Sequence, residues 1–256
     1  MASIDRDFWL DDLHDAQDEA GIDRTVLVQS ANSAAETIDL LALSEDPAVA
    51  GVVGWVDLTR DALPQLAGLR QAEGGGNLLG IRHLAHQDAD DHWLLRSEVA
   101  SGLTTLAEAG LVFDLVVRPD QLGDAAAVAA EHPEVTFVLD HLGKPPIASG
   151  DLAGWGSDLR AVAASPNVSA KLSGLVIEAD WSTWTVDDLR EPVDIALEAF
   201  GPNRLMFGSD WPLTGLARGL ATWLDAAREL TAPLSQSERD SIFGGTATAV
   251  YRPRKD

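Results

Sequence analysis

Seven short apolar runs, each closed by a polar residue, constrain this chain more than any other feature. They are Thr25–Gln29, Val52–Asp57, Leu78–Arg82, Val112–Arg118, Thr136–His141, Val168–Lys171 and Leu205–Asp210. Val, Leu, Ile, Phe and Thr dominate them, the composition of β-strands. The intervals between runs are long enough for helices, and a repeated strand–helix alternation is the signature of parallel βα units. In a (β/α) barrel the C-terminal strand ends face one shared pocket, where the chemistry sits. Gln29, Asp57, Arg82, Asp114, Arg118, His141, Lys171 and Asp210 are therefore expected around one site. Turns are polar in their own right, which accounts for any one of these residues. It accounts less well for a cation, a histidine and a carboxylate at equivalent places.

The segments between the runs read as helices over Asp7–Ala20, Ala34–Leu43, Arg60–Gln71, Leu94–Ala109, Leu122–Glu131, Leu152–Ala164, Val186–Phe200 and Leu216–Leu230. Ser235-Gln236-Ser237-Glu238 fits a capping box opening a last helix toward Tyr251. A closed barrel of this kind has eight strands. Seven runs are present, and the chain opens with a helix that feeds a strand. The expectation is an α/β chain with a TIM (β/α)8-type barrel as a single domain over residues 1–256, missing its first strand. One strand and its loop would take on the order of 20–30 residues.

Composition narrows the function classes. The 256 residues match the usual size of such a barrel, roughly 250 residues. There is no cysteine, which removes disulfides and thiolate metal ligands. A net charge of −23 repels phosphate and anionic lipid, so no nucleic acid and no membrane is expected as a partner. No apolar run of transmembrane length and no signal peptide is found. The expected partner is a small-molecule substrate and the expected location cytoplasmic. A homo-oligomer is compatible with the sequence and not required by it.

Strand alternation sorts the candidate residues. Ser169, Lys171 and Ser173 share one face of their strand, while Val168, Ala170 and Leu172 share the other and must meet the helices. Lys171 therefore points inward and suits a carboxylate or a developing oxyanion. Arg82 and His83 are adjacent and face opposite ways; Arg82 shares the side of Gly80 and suits a bidentate carboxylate clamp. His86 lies in the following loop as a further polar contact. His141 shares a face with Phe137 and Leu139 and suits a ligand or electrophile role. Asp140 lies on the opposite face and suits a structural bond. Asp210 shares a face with Met206 and Gly208; it suits a general base toward water, a metal ligand, or a plain turn residue before Pro212.

Four motifs add to this reading. Gly80-Ile81-Arg82-His83, Phe137 to Pro145, Lys171-Leu172-Ser173-Gly174 and Phe207 to Pro212 resemble motifs of the amidohydrolase superfamily, most closely amidohydrolase family 2. The ending Ile242-Phe243-Gly244-Gly245-Thr246-Ala247 resembles that family's C-terminal helix. The resemblance runs from about Asp7 to Tyr251. It implies a TIM barrel and a hydrolase that opens a sugar-acid or carboxylated-pyrone lactone. His141 and Asp210 would be catalytic, and Arg82, Lys171, His83 and His86 would contact substrate. One divalent metal such as zinc, held by His141 and Asp210, or no metal at all, is implied. Members usually begin with a strand ending in His-x-His, which this sequence lacks. The alternatives are a decarboxylase of the same superfamily and an inactive truncated homologue that only binds ligand.

Overall fold

The structure, a computed structural model, describes residues 4–252. Its strands are β1 (Thr25–Val28), β2 (Val49–Gly54), β3 (Leu78–His83), β4 (Val112–Leu115), β5 (Phe137–Leu139), β6 (Val168–Leu172) and β7 (Leu205–Phe207). They form one sheet in sequential order, and every neighbouring pair is parallel. The longer helices are α1 (Leu10–Ala20), α2 (Ala34–Leu43), α3 (Ala62–Gln71), α4 (Ser97–Glu108), α5 (Leu122–Glu131), α6 (Ala153–Ala163), α7 (Val186–Phe200) and α8 (Leu220–Leu230). Parallel strands require such crossovers.

Among the described residues β1 and β7 each pair on one side only. The sheet curls as a TIM-type barrel does but lacks a strand between them, as the seven runs imply. Several strands stop short of the polar residue that closes their run: β5 ends at Leu139, before His141, and β7 at Phe207, before Asp210. β2 starts at Val49 and stops at Gly54, so Asp57 lies beyond it and accepts bonds from the Thr59 backbone and hydroxyl. β4 stops at Leu115, which leaves Arg118 in a turn, bonded to Asp91 and Asp120. The last helix is broken into α9 (Gln236–Asp240), a wide turn at Ser241–Gly245, and α10 (Thr246–Tyr251). The break falls at Gly244-Gly245, residues that cost a helix the most backbone entropy.

Apolar side chains form two layers. Phe113, Phe137, Leu139, Val168 and Leu172 face the helices. Val53, Leu79, Val112, Val138, Met206 and Tyr251 fill the inside of the curl. Tyr251 reaches there from α10, beside the sheet's open edge.

The open edge has a measurable consequence. Strands paired on both sides open only with larger units of the structure, whereas unpaired edges open locally. In hydrogen–deuterium exchange, amides of β1 and β7 that face the gap are expected to exchange at least about tenfold faster than those of β4. Equal protection of all three strands would contradict the open curl.

Candidate active site

The inner surface carries a closed set of charges. Lys171 Nζ lies 2.5 Å from Asp114 Oδ2 and 2.7 Å from Asp140 Oδ1. Arg82 donates to Asp140 Oδ2 at 2.6 Å and also to the Gln29 carbonyl. The Tyr251 hydroxyl lies 3.0 and 2.9 Å from the two Asp114 oxygens. Both carboxylates are wholly buried. Burial works to raise the Asp140 pKa, but Lys171 and Arg82 hold it well below the usual carboxylate range. Burial wins at Asp114, whose pKa is raised against the pull of Lys171. Burial would lower the Lys171 pKa, but Asp114 and Asp140 keep it raised.

Lys171 and Arg82 thus point inward as strand parity requires, and the outward Val168, Ala170 and Leu172 pack against helices. Their carboxylate partners are internal, which corrects the picture of two cations waiting for a substrate carboxylate. Gln29 is buried and braces this set, its amide donating to the Arg82 carbonyl at 3.0 Å.

His141 and Asp210 sit beside it. His141 Nε2 lies 3.9 Å from Asp210 Oδ1. Parity does not bring His141 in. Phe137 and Leu139 face the helices, so Asp140 continues the inner face. His141 turns inward because the chain after β5 enters the left-handed region, with φ of 53° at His141 and 51° at Leu142. Asp210 shares that backbone form, with φ of 50°. Left-handed backbone costs a non-glycine residue roughly 1–2 kcal/mol, so the surroundings must enforce it.

Three contacts do so. The Trp155 indole donates to the Leu142 carbonyl at 2.8 Å. The Trp223 indole donates to the Gly208 carbonyl at 2.9 Å, two residues before Asp210. Gly174 lies so close under His141 that a Cβ there would sit 2.6 Å from Nδ1. Ser173 Oγ lies 2.8 Å from His141 Nδ1, and among the described residues its hydroxyl has no other acceptor. We therefore assign the hydroxyl proton to that bond, which leaves the ring N–H on Nε2, on the side of Asp210. Ser173 lies in the Lys171–Gly174 motif but has no role of its own there, and Trp155 and Trp223 carry no motif. The available signal was the inward parity of Ser173 with Lys171 and the unusual count of eight tryptophans.

Burial raises the Asp210 pKa, opposed by His141 and Lys144. Burial lowers that of His141, opposed by Asp210 and Asp140. A carboxylate shifted toward neutrality beside an uncharged imidazole suits proton transfer from water.

His83 and His86 are placed elsewhere. The His83 ring stacks on Trp93, with centroids 3.7 Å apart. Its Nδ1 accepts from the Trp55 indole and its Nε2 lies 2.9 Å from Asp88. It faces away from Arg82, because the two are adjacent on a strand, so the structure corrects its assignment as a substrate contact. His86 follows β3 in a turn and lies outside the cavity lining. Burial first, then Lys144 and Arg82, push its pKa down to about 4.

A cavity of about 1760 Å³ runs along the open edge between β1 and β7, and Arg82, Asp140, His141, Lys171, Ser173 and Asp210 form part of its wall. Near Asp210 the wall includes Trp211, whose ring meets Phe8 edge-on at 5.1 Å. Such a wall offers an apolar face beside a polar end, the usual make-up of a small-molecule site.

A parallel βα curl with its polar strand ends around one cavity is the frame of a TIM-barrel enzyme. The family model described as Amidohydrolase matches residues 2–252, and the chain belongs to that family. It is 40% identical over 266 residues to an L-fucono-1,5-lactonase of Burkholderia multivorans, covering 98% of this chain and 88% of that one. An L-fucono-1,5-lactonase of Burkholderia ambifaria is 37% identical, with the same coverage. The crystal structure of an amidohydrolase from Burkholderia multivorans with bound zinc superposes with a TM-score of 0.94 at 36% identity, covering 99% of this chain and 92% of that one.

Zinc in a catalytic site is usually held by three protein ligands. Among the described residues no group of three His, Cys, Asp or Glu side chains is placed to hold a metal ion. His141 and Asp210 supply two donors. The described residues place no third donor beside them. Among the same residues no helix is long and apolar enough to cross a membrane.

Two measurements check the electrostatics. Lys171→Met leaves two buried carboxylates with one cation, and should destabilise the fold by about 3–5 kcal/mol; a loss under about 1 kcal/mol in urea unfolding would contradict the ion-paired interior. His86 has a folded pKa below its unfolded value. Its contribution to stability is therefore complete above about pH 6.5 and is lost as pH falls toward about 4. The fall in melting temperature across that window should be smaller in His86→Asn; an identical fall would show that His86 is not buried in neutral form.

Proposed function

We propose that this chain hydrolyses the 1,5-lactone of a small sugar acid. The observation that carries the reading is Asp210, a half-buried carboxylate that faces the cavity with the uncharged His141 imidazole 3.9 Å away. The names of the 40% and 37% identical relatives support the same reaction and favour it over the decarboxylase alternative.

Asp210 takes a proton from a water molecule, and the resulting hydroxide adds to the lactone carbonyl carbon. The carbonyl oxygen gains negative charge, which the His141 Nε2 proton stabilises. Ser173 keeps that proton on Nε2 by donating to Nδ1. The tetrahedral intermediate then expels the ring oxygen, which takes the proton from Asp210. The product is a hydroxy acid that releases its carboxyl proton to solvent, and Asp210 returns to its starting state. The Trp211 face suits the C–H side of a sugar ring. The coordination chemistry of a bound ion lies outside these steps, which use only the chain's own residues.

Asp210→Asn should lower kcat for L-fucono-1,5-lactone by about 10²–10⁴-fold with an unchanged melting temperature. Turnover is followed by acid release in weak buffer, with and without added divalent metal. An Asp210→Asn protein of undiminished kcat would overturn the assignment of the base. A folded wild-type chain that opens no aldonolactone in either condition would overturn the lactonase reading.

A further inference from the structure

The turn that follows Asp210 is braced by the segment that leads into α1. Trp211 lines the cavity, and its ring crosses that of Phe8 at 79° with centroids 5.1 Å apart. Such an edge-on contact leaves at least one face of the indole clear of Phe8. The indoles of Trp155, Trp184 and Trp223 are each fixed by a backbone carbonyl. The Trp211 indole has no acceptor among the described residues, so packing alone sets the angle of its ring. Phe8 is in turn held in place. Asp12 accepts from the Trp9 backbone N–H at 2.8 Å and from Arg6 at 2.7 Å, and the Arg6 guanidinium lies 4.0 Å from the Phe8 ring centroid, a cation–π contact. Ile4 abuts the same turn: a Cβ on Gly215 would sit 3.5 Å from its Cγ2. Contacts therefore run without a break from Asp12 through Arg6 and Phe8 to Trp211, the residue next to Asp210.

We propose that Phe8 is a positioning residue for the substrate: packed edge-on against Trp211, it holds the indole as the platform on which the C–H face of the lactone ring lies. The inference rests on the lactonase reading and adds to the site a residue that comes from no strand end. A ring lying on the indole gains contact area only if the indole keeps a fixed angle. Without Phe8 the Trp211 side chain is free to choose among rotamers, and binding must then carry the cost of ordering it. The contact is the same in the bound lactone and in the tetrahedral intermediate, because it is made to ring carbons that do not react. Its loss therefore weakens binding and leaves the chemical step at Asp210 and His141 as it was.

Phe8→Ala should raise KM for L-fucono-1,5-lactone about three- to tenfold and leave kcat within about twofold. Phe8→Tyr, which keeps the ring, should bring KM back to within about twofold of wild type. A double-mutant cycle separates action through the indole from direct contact with substrate. In a Trp211→Ala background, Phe8→Ala should change KM by less than about twofold. A melting curve shows whether each variant folds. Phe8→Leu serves if Phe8→Ala does not, and should raise KM at least about twofold because it is apolar but has no ring. Calorimetric titration of Asp210→Asn with the intact lactone, with and without the change at Phe8, reads affinity in the absence of turnover. Its dissociation constant should rise by the same factor as KM. That rise, found together with a wild-type chain that turns over no lactone, defeats the lactonase reading and leaves the role of Phe8 standing. An unchanged KM and dissociation constant, additive effects of the two substitutions, a loss confined to kcat, or no binding in either titration overturns the proposal.

Discussion

The inner half of this molecule depends on Lys171 lying between Asp114 and Asp140. A buried carboxylate without a partner is among the least tolerable groups in a protein interior. Two of them stand here, on β4 and directly after β5; Lys171 of β6 pairs with both, and Arg82 of β3 pairs with Asp140. The charges run plus, minus, minus, plus across four neighbouring strands. Tyr251 ties the last helix to the same set through Asp114. Because these four charges cancel, Asp210 is left to act alone. Its carboxylate faces an imidazole and a cavity, and burial moves it toward the protonation range where it can accept a proton and return it.

The reacting pair is positioned by backbone that ordinary side chains avoid. His141 and Asp210 both adopt left-handed conformations, and each lies within two residues of a carbonyl held by a buried tryptophan. Trp155 comes from α6 and Trp223 from α8, so the helical shell fixes the strand-end turns. Gly174 and Ser173 complete the cradle from the end of β6, one by having no side chain under the His141 ring and the other by bonding to it. A site assembled from three strand ends and two helices is pre-organised by its packing, which is what electrostatic stabilisation of a developing oxyanion requires.

Much of this was legible in the sequence for a simple reason. Period-two alternation with helix-length gaps leaves few alternatives to parallel βα units, and all seven strands fall on the seven apolar runs. Parity placed Lys171 and Arg82 on the inner face, since their outward neighbours are apolar. It could not reveal their partners, because Asp114 and Asp140 look like any polar residues in or after strands, and long-range pairing leaves no local signal. Parity also failed at His141. Alternation ends where the strand ends, at Leu139, and beyond it the left-handed turn decides where a side chain points. His83 became a candidate only through the family resemblance, although strand alternation already set it on the face opposite Arg82. Trp155 and Trp223 carry no spacing rule, so their role as supports for the turns emerges only in three dimensions.

Water attack at the lactone carbonyl, with Asp210 as the base, is the step on which the functional reading turns. Hydrolysis of L-fucono-1,5-lactone in water enriched in oxygen-18, analysed by mass spectrometry of the hydroxy acid, tests it most directly. Label is expected in the carboxylate and not in the hydroxyl released from the ring, because the acyl carbon–oxygen bond is the one that breaks. Label in the ring-derived hydroxyl would place the attack on the sugar carbon instead and contradict the roles given to Asp210 and His141.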